Sequence, residues 1–187
     1  MELKPARQRD LFWIYRNYRR DFPADERKPF WMLLKNRRKG ITDIFILWDN
    51  GVPMAYAASL IGGKQQCVLI DYLAVTKKAR NKGCGSCMLR ELSRFYAHKA
   101  GLIVEIEDPE KGENEAQIRQ RLRRREFYLR GGFTLQTTKV CLFGVDMRIL
   151  YYPLQTAGFE NFSETLSELY LSVFGEKLVS EKIKIFE

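Results

Sequence analysis

Histidine is almost absent from the sequence. His98 is the single histidine, and it falls late in a predicted helix. Catalytic triads that depend on a histidine base are therefore not available to this chain. Zinc sites are also disfavoured, because the four cysteines include only one C-x-x-C pair, Cys84 and Cys87, and no second pair or neighbouring histidine completes four ligands. We expect a protein without a metal.

Long hydrophobic runs are also absent. No stretch approaches the roughly 20 apolar residues of a membrane-spanning helix. The apolar segment 11–15 is followed at once by Arg16, so it does not read as a signal peptide. We therefore expect a cytoplasmic protein with no membrane partner.

Acidic residues are outnumbered. The 187 residues include 23 Asp and Glu against 32 Lys and Arg, a net charge of +9. This charge suits an anionic ligand, although a nucleic-acid surface would produce the same composition. With 45% hydrophobic residues, the chain can bury a sizeable core as one domain, or as one domain with a terminal extension.

One stretch, residues 69–89, organises the chain. It begins as an apolar strand, passes through a basic turn with Gly83 and Gly85, and continues as a helix with one apolar stripe. Unpaired backbone N–H groups and the positive end of the helix dipole face such a turn. Glycine lets an anion approach them, since no Cβ stands in the way. The stretch predicts an anion cradle, best suited to a pyrophosphate.

The turn Arg80-Asn81-Lys82-Gly83-Cys84-Gly85 resembles the Arg/Gln-x-x-Gly-x-Gly/Ala signature of the GNAT family of N-acetyltransferases, which bind acetyl-CoA. The preceding residues 72–75 resemble the family's strand that pairs with the pantetheine arm of the cofactor. A dinucleotide fingerprint would need a third glycine where Met88 stands, and the Gly-Lys-Ser/Thr of a Walker A loop is missing. The resemblance implies a cofactor-binding set of Leu73, Ala74, Val75, Arg80, Asn81, Lys82, Gly83, Cys84, Gly85 and Ser86.

A second segment, Phe127-Tyr128-Leu129-Arg130-Gly131-Gly132-Phe133, resembles the family's other signature, Phe-Tyr-x-x-x-Gly-Phe. The family's tyrosine commonly protonates the departing coenzyme A thiolate, and by match that residue is Tyr128. The chemistry is reasonable, because a phenol with a pKa near ~10 can share a proton with a thiolate whose acid has a pKa near ~8.5. An ordinary packed aromatic is the alternative role.

Transfer to an amine also needs a base. Asp71 lies on the strand that precedes the glycine turn. Glu105 and Glu107 share one face of the next strand, because strand side chains alternate. We name Asp71 and Glu105 with Tyr128 as catalytic candidates, although each carboxylate singly fits a structural ion pair as well. The acidic positions 71, 105 and 107 favour a cationic acceptor.

The remaining pattern predicts a mixed α/β fold with a mostly antiparallel sheet flanked by helices, as in GNAT acyl-CoA N-acyltransferases. Two strands, 43–48 and 52–60, read as a hairpin around Asp49-Asn50-Gly51, and Gly62-Gly63 turns the chain into the organising strand. We expect helices over 3–22, from near Asp25 to Arg38, from the glycine turn to about Ala100, over 115–130 and over 163–179. Further strands are expected at 102–107 and twice between 133 and 152.

The resemblance covers residues 1–153 and is specific only over 68–133. We therefore predict an acetyltransferase domain over 1–153 and a C-terminal helical extension over 154–187, packed on the same domain. The T-x-x-E sequence at 165–168 favours a helix start there.

Two functions compete at this stage. The first is an acetyl-CoA-dependent N-acetyltransferase, acting on an unidentified primary amine by direct transfer in a ternary complex, as a monomer or homodimer. The alternative is an acyl-CoA-binding or nucleic-acid-binding protein that uses the basic helix over 119–130 without catalysis; we favour nucleic acid less. A redox role for Cys84 and Cys87 is disfavoured, since no thioredoxin-like context surrounds them.

Overall fold

The computed structural model describes residues 1–24, 26–61, 66–156, 159 and 161–187. The predicted turn at Gly62-Gly63 lies outside these residues. The chain divides into two compact units. The first comprises Met1–Gly62 and Ile70–Phe95, and the second comprises Gly63–Leu69 and Tyr96–Glu187.

Helices and mostly antiparallel sheet, with eight strands among the described residues, make up the fold, which confirms the predicted mixed α/β class. The strands are β1 (Glu2–Pro5), β2 (Thr42–Asp49), β3 (Val52–Leu60), β4 (Cys67–Val75), β5 (Gly101–Glu107), β6 (Thr134–Leu142), β7 (Val145–Pro153) and β8 (Ile183–Phe186). The helices are α1 (Leu11–Asp21), α2 (Phe30–Arg38), α3 (Cys84–Phe95), α4 (Glu115–Arg130), α5 (Phe162–Phe174) and α6 (Glu176–Lys182). None of the helices in the described ranges is long and apolar enough to cross a membrane.

In the first unit, the strands follow one another as β1-β2-β3 and then the part of β4 from Ile70 onward, and the pairs β1–β2 and β2–β3 are antiparallel. The predicted hairpin turn is confirmed, because Asn50 (φ 47°) and Gly51 (φ 78°) both take left-handed conformations. Such a pair matches the twist of the strands that it joins. The turn fixes the register of β2 on β3.

The core of the first unit forms where α1 and α2 cover the sheet. Leu11, Ile14 and Tyr18 form one stripe of α1 and are at most 7% exposed. They pack in one cluster with Ile46 and Tyr56 of the sheet. Burial of each such side chain contributes roughly 1.5–3 kcal/mol, which explains why the helical period of the sequence predicted this face.

Two predicted helices begin later than expected. Residues 2–5 form β1 against β2 instead of a first helical turn, because an edge strand tolerates Pro5 and backbone pairing overrides weak helical propensity. Helix α2 begins at Phe30 rather than near Asp25, since a residue that precedes proline, here Lys28, is pushed out of the helical region. Helix α3 ends at Phe95, earlier than the expected Ala100.

In the second unit, the strands follow as β5-β7-β6-β8, all in antiparallel pairs. The interior residues of β5, Leu102 to Val104 and Ile106, are fully buried. Only Glu105 and Glu107 of this strand interrupt the burial. Helix α4 has the predicted bounds, and Asn114 caps its first turn by accepting a hydrogen bond from the Gln117 backbone N–H at 3.0 Å.

The C-terminal segment differs from the single predicted helix. Gly175 takes φ 78° and separates α5 from α6, a conformation that glycine adopts without strain. The segment is also not wholly helical, because β8 pairs with β6 along the register Leu142↔Ile183. The proposed boundary between residues 153 and 154 stays a prediction.

Candidate active site

The C-terminal half of β4 presents the segment predicted to bind pantetheine. Tyr72 and Ala74 are buried, whereas Asp71, Leu73 and Val75 are half-buried on the other face, as strand alternation requires. The hydroxyl of Tyr72 donates to the backbone carbonyl of Glu26 at 3.1 Å and accepts from the Lys28 N–H at 3.0 Å.

The glycine turn between β4 and α3 has the geometry of an anion cradle. Asn81 (φ 61°) and Gly83 (φ 73°) both lie in the left-handed region. Helix α3 begins immediately afterwards, and its N–H of Cys87 donates to the Gly83 carbonyl at 2.9 Å. A Cβ built on Gly83 would meet no atom within 4 Å, so the space before the helix is open. Lys82, Gly83 and Ser86 are exposed, so the start of α3, where helix N–H groups lack intrahelical partners, faces solvent and suits an anion.

Arg80 is held in place beside this turn. Its Nε donates to the Val75 carbonyl at 3.3 Å, and its Nη2 lies 3.9 Å from Oδ1 of Asp21. The Asp21 carboxylate is 2% exposed and also accepts from Arg20 at 3.1 Å and from the Tyr56 hydroxyl at 3.4 Å. Part of the positive charge of Arg80 is therefore balanced within the protein, while Lys82 remains exposed beside the turn.

The two cysteines of the C-x-x-C pair are free thiols that point into the protein. Cys84 is 1% exposed and Cys87 is 8% exposed. The Cys87 sulfur accepts from Nη2 of Arg90 at 3.3 Å. Burial of this kind suits small helix residues, and the absence of a redox role stays a prediction.

The second signature segment forms the C-terminal end of α4. The Phe133 N–H donates to the Tyr128 carbonyl at 3.1 Å, and the Gly132 N–H donates to the Leu129 carbonyl at 3.0 Å. This pair of bonds is a Schellman motif, whose left-handed position is Gly132 at φ +87°. The glycine of the signature thus has a backbone reason, because the motif returns Phe133 onto Tyr128.

Tyr128 is the buried residue of α4. Its ring packs against the rings of Phe127 and Phe133, with centroids 5.0 and 5.4 Å away. Burial raises the pKa of the phenol above its ordinary value, and the positive charge of Arg124 opposes this increase. The phenol therefore stays protonated at neutral pH. Among the described residues, none forms a hydrogen bond with its hydroxyl, which leaves the proton available to a ligand.

Asp71 forms an ion pair that the sequence did not suggest. Nζ of Lys28 lies 2.7 Å from Oδ1 and 2.8 Å from Oδ2 of this carboxylate. Both side chains are largely buried, with exposed fractions of 14% for Lys28 and 8% for Asp71. The negative charge of Asp71 is therefore balanced within the first unit.

The carboxylates of β5 are also engaged. Glu105 accepts a hydrogen bond from the hydroxyl of Tyr170 on α5. Glu107 accepts from Arg121 at 3.1 Å and from Arg124 at 2.9 Å. Glu107 is thus an anchor of helix α4 on the strand rather than an open acid.

The basic face of α4 is partly neutralised by these and other pairs. Arg119 lies 2.9 Å from Glu115, and Arg125 lies 3.6 Å from Glu126. Four of the six arginines at positions 119, 121, 123, 124, 125 and 130 therefore have acidic partners. This pairing weakens the case for a nucleic-acid surface, which depends on cations open to phosphates.

The predicted site residues fall in both units. Asp71, 73–75 and 80–86 lie together in the first unit, from the end of β4 to the start of α3. Glu105 and Tyr128 lie in the second unit. Sequence reasoning missed Lys28, Asp21 and Tyr170, which contact the candidate residues. No motif marks these three, because their partners are 43, 59 and 65 positions away along the chain.

Comparison with known proteins gives a family match. Residues 40–135 match the family model described as "Acetyltransferase (GNAT) domain", a range that includes both the glycine turn and the Phe-Tyr segment. No curated protein matches the chain.

Solved structures share the fold. A Bacteroides thetaiotaomicron protein assigned to the GNAT acetyltransferase family aligns with a TM-score of 0.77 and 20% identity over 94% of this chain and 99% of its own. The Vibrio cholerae spermidine N-acetyltransferase, solved with CoA and spermine, aligns with a TM-score of 0.64 and 12% identity over 82% and 95%. The Escherichia coli ribosomal-protein-S18-alanine N-acetyltransferase aligns with a TM-score of 0.56 and 20% identity over 86% of this chain and 97% of its own.

Proposed function

The chain belongs to the GNAT family of acetyltransferases, and from this premise we propose that it transfers the acetyl group of acetyl-CoA to a primary amine by direct transfer in a ternary complex. The observation that carries the proposal is the glycine turn, in which left-handed Asn81 and Gly83 open the N-terminus of α3 toward free space. Such a helix start, flanked by Arg80 and Lys82, suits a pyrophosphate.

The cofactor would be held by two adjacent segments of the first unit. The backbone N–H groups of residues 82–86 bind the pyrophosphate, while Arg80 and Lys82 add positive charge. The backbone of Leu73, Ala74 and Val75 pairs with the pantetheine amides, as an added strand would. Bound acetyl-CoA supplies an activated thioester carbonyl. Asn81 shapes the turn, while Cys84, Gly85 and Ser86 form the first turn of α3, which presents these groups.

Tyr128 is proposed as the proton donor to the leaving group. The amine nitrogen attacks the thioester carbon, the carbon–sulfur bond breaks, and the electron pair leaves on sulfur. The Tyr128 hydroxyl gives its proton to that sulfur, which produces the free thiol of CoA. Its packing against Phe133 and its raised pKa support this role, because the proton is present at neutral pH.

A base must take the proton that the amine loses. Asp71 and Glu105 are the two proposed candidates. Asp71 lies two residues before Leu73 but binds Lys28 through both oxygens, and Glu105 accepts from Tyr170. The variants Asp71→Asn and Glu105→Gln distinguish them, because loss of the base removes the acidic limb of the pH profile of kcat/KM.

Thiol release from acetyl-CoA, measured across an amine panel, tests the proposed function. We expect amine-dependent CoA release and an acetylated amine of the correct mass. Initial rates that vary both substrates should give intersecting lines, as a ternary complex requires. Parallel lines would indicate an acetyl-enzyme intermediate and contradict direct transfer.

A binding protein without catalysis would behave differently. It would gain thermal stability from acetyl-CoA but release no CoA with any amine of the panel. Retention on a nucleic-acid column that acetyl-CoA does not change would support the alternative function of the basic helix.

A further inference from the structure

An open groove of about 230 Å³ lies in the first unit, where α1 meets the segment that leads into α2. Its apolar wall consists of aromatic rings that pack on one another. The Phe30 ring lies 5.1 Å from that of Tyr15 and 5.9 Å from that of Tyr18. Arg19, Arg27 and Lys28 also line the groove, together with Ala24 and Pro29. The groove therefore combines an aromatic surface with three cations.

Buried tyrosines hold the cationic side of this groove in place. The Tyr18 hydroxyl donates to the Lys28 carbonyl at 3.0 Å, and Tyr72 binds both the Glu26 carbonyl and the Lys28 N–H. The rings of Tyr18 and Tyr72 pack edge to face at 4.9 Å. The backbone that carries Arg27 and Lys28 is thus tied to α1 and to β4.

The charge of the groove is only partly balanced. Lys28 is paired with Asp71, whereas the Arg27 guanidinium donates to two backbone carbonyls, that of Pro23 at 3.1 Å and that of Arg19 at 3.4 Å. Arg19 lies over the Tyr15 ring, 5.7 Å from its centroid. Within the described residues, a group that leaves out Asp25, no carboxylate lies within 4.0 Å of either arginine. Carbonyls orient a guanidinium without neutralising it, so both charges remain available to a ligand.

This arrangement favours a different acceptor from the cationic one that the acidic positions 71, 105 and 107 favour. Of these acidic residues, Asp71 contacts a residue of the groove, Lys28. The ion pair with Lys28 already balances the charge of Asp71. A polyamine would meet two guanidinium groups that have no carboxylate partner in the described part of the chain, and like charges in contact are unfavourable.

We propose that the groove binds an acidic group on the acceptor, so that the preferred amines carry a carboxylate or phosphate beside an apolar group. The inference rests on the proposed acetyl transfer and names the class of its acceptor. Arg27 and Arg19 bind the acid, and the rings of Tyr15 and Phe30 contact the apolar part. Because Lys28 joins the groove to Asp71 on β4, the bound acceptor lies beside the strand proposed to bind pantetheine.

Matched amines test this specificity. Phenylalanine and phenethylamine share ring and amine but differ in the carboxylate, and phosphoethanolamine and ethanolamine form the corresponding phosphate pair. We expect kcat/KM to be about tenfold or more higher for the acid of at least one pair, the effect of one charge-assisted hydrogen bond. The pair that shows the preference identifies the acid. Equal or lower values for both acids, or spermidine as the best acceptor, would overturn the inference.

Variants locate the effect. Arg27→Gln should reduce the preference for the acid, which is the ratio of kcat/KM for the acid to kcat/KM for the neutral amine, about tenfold. Arg16→Gln is the matched control, because this α1 arginine lies over the exposed Phe12 ring and outside the groove. A preference that survives Arg27→Gln and Arg19→Gln together would overturn the inference.

A binding measurement separates this inference from the proposed function. N-acetylphenylalanine and N-acetylphenethylamine need no turnover, and calorimetry compares their affinities directly, with the acetylated phosphate pair as the second arm. Tighter binding of an acid that Arg27→Gln abolishes supports the groove even if no amine is acetylated, in which case only acetyl transfer fails. Amine acetylation with equal binding of acid and neutral forms retains acetyl transfer and overturns the acidic acceptor.

Discussion

At the scale of single residues, the hydroxyl of Tyr128 carries the most specific chemical prediction. Tyr128→Phe keeps the ring contacts with Phe127 and Phe133 and removes only the proton. We expect kcat to fall roughly 100-fold or more, the scale of general acid catalysis, with little change in acetyl-CoA affinity. The free energy of unfolding should change by about 1 kcal/mol or less, because the hydroxyl forms no hydrogen bond with the described residues that the substitution would break.

Tyr152→Phe is the control for Tyr128→Phe. Tyr152 belongs to the same aromatic cluster, with its ring 5.4 Å from that of Phe133, but has no proposed catalytic role. Steady-state kinetics of both variants should separate proton donation from packing. Wild-type turnover in Tyr128→Phe would show that this tyrosine is structural.

At the scale of elements, the glycine turn decides whether the cofactor binds. Gly83→Asp places a side chain and a negative charge in the open space before α3, where the pyrophosphate is proposed to lie. We expect the thermal stabilisation by acetyl-CoA to disappear, because a ligand raises Tm only when it binds the folded state. Thermal unfolding with and without millimolar acetyl-CoA measures this.

Gly51→Asp provides the matched control for that turn. Gly51 also has a left-handed φ, +78° against +73° for Gly83, and also has open space around its Cβ position. Both variants should lower Tm by a similar amount from backbone strain. Only Gly83→Asp should lose the response to acetyl-CoA. An unchanged response in Gly83→Asp would contradict the proposed cradle.

The Schellman motif at the end of α4 gives a second element-scale prediction. A Cβ at Gly132 would lie 3.0 Å from the Tyr152 ring, whereas one at Gly144 would meet nothing within 4 Å, and the two have φ of +87° and +86°. Gly132→Ala and Gly144→Ala should share a strain cost of about 1–2 kcal/mol. In urea unfolding, Gly132→Ala should lower the free energy of unfolding more than Gly144→Ala does, because only its Cβ contacts the Tyr152 ring. Equal costs would mean that the ring moves aside freely.

At the scale of the whole molecule, one buried thiol and several buried phenols predict a loss of stability at alkaline pH. Burial raises the pKa of the Cys67 thiol to about 12 and raises those of Tyr18, Tyr56, Tyr72 and Tyr128. Above pH ~8.5 the unfolded thiol loses its proton while the folded thiol retains it. The unfolded state then binds fewer protons, so the free energy of unfolding falls as pH rises toward 12.

Urea unfolding at pH 7.5 and 9.5 under reducing conditions measures this effect. We expect the free energy of unfolding of the wild type to fall by about 1 kcal/mol between these pH values because of Cys67. Each pH unit above the ordinary thiol pKa lowers this free energy by about 1.4 kcal/mol when only the unfolded thiol loses its proton. Cys67→Ala should remove the part of the decrease that comes from the thiol. The decrease that the buried tyrosines cause at higher pH should remain. Equal pH dependence in the two proteins would show that the thiol is not shielded.

The sequence by itself determined the features that depend on local periodicity and turn chemistry. The helical stripe of α1, the Asn50-Gly51 hairpin and the bounds of α4 follow from residues close together in the chain. The family assignment also came from local signatures, because the glycine turn and the Phe-Tyr segment each act through backbone geometry. Gly83 and Gly132 take left-handed conformations that other residues adopt only with strain.

The tertiary structure alone decided which charges are paired and which strands form the sheet edges. β1 and β8 form because residues 2–5 pair with β2 and residues 183–186 pair with β6. A strand of four residues is too short to show an alternating hydrophobic pattern, so the sequence does not reveal this pairing with distant segments. Asp71 meets Lys28 across 43 positions, and Glu105 meets Tyr170 across 65. The free energy of such pairs depends on distance and burial in space, which the order of residues does not encode.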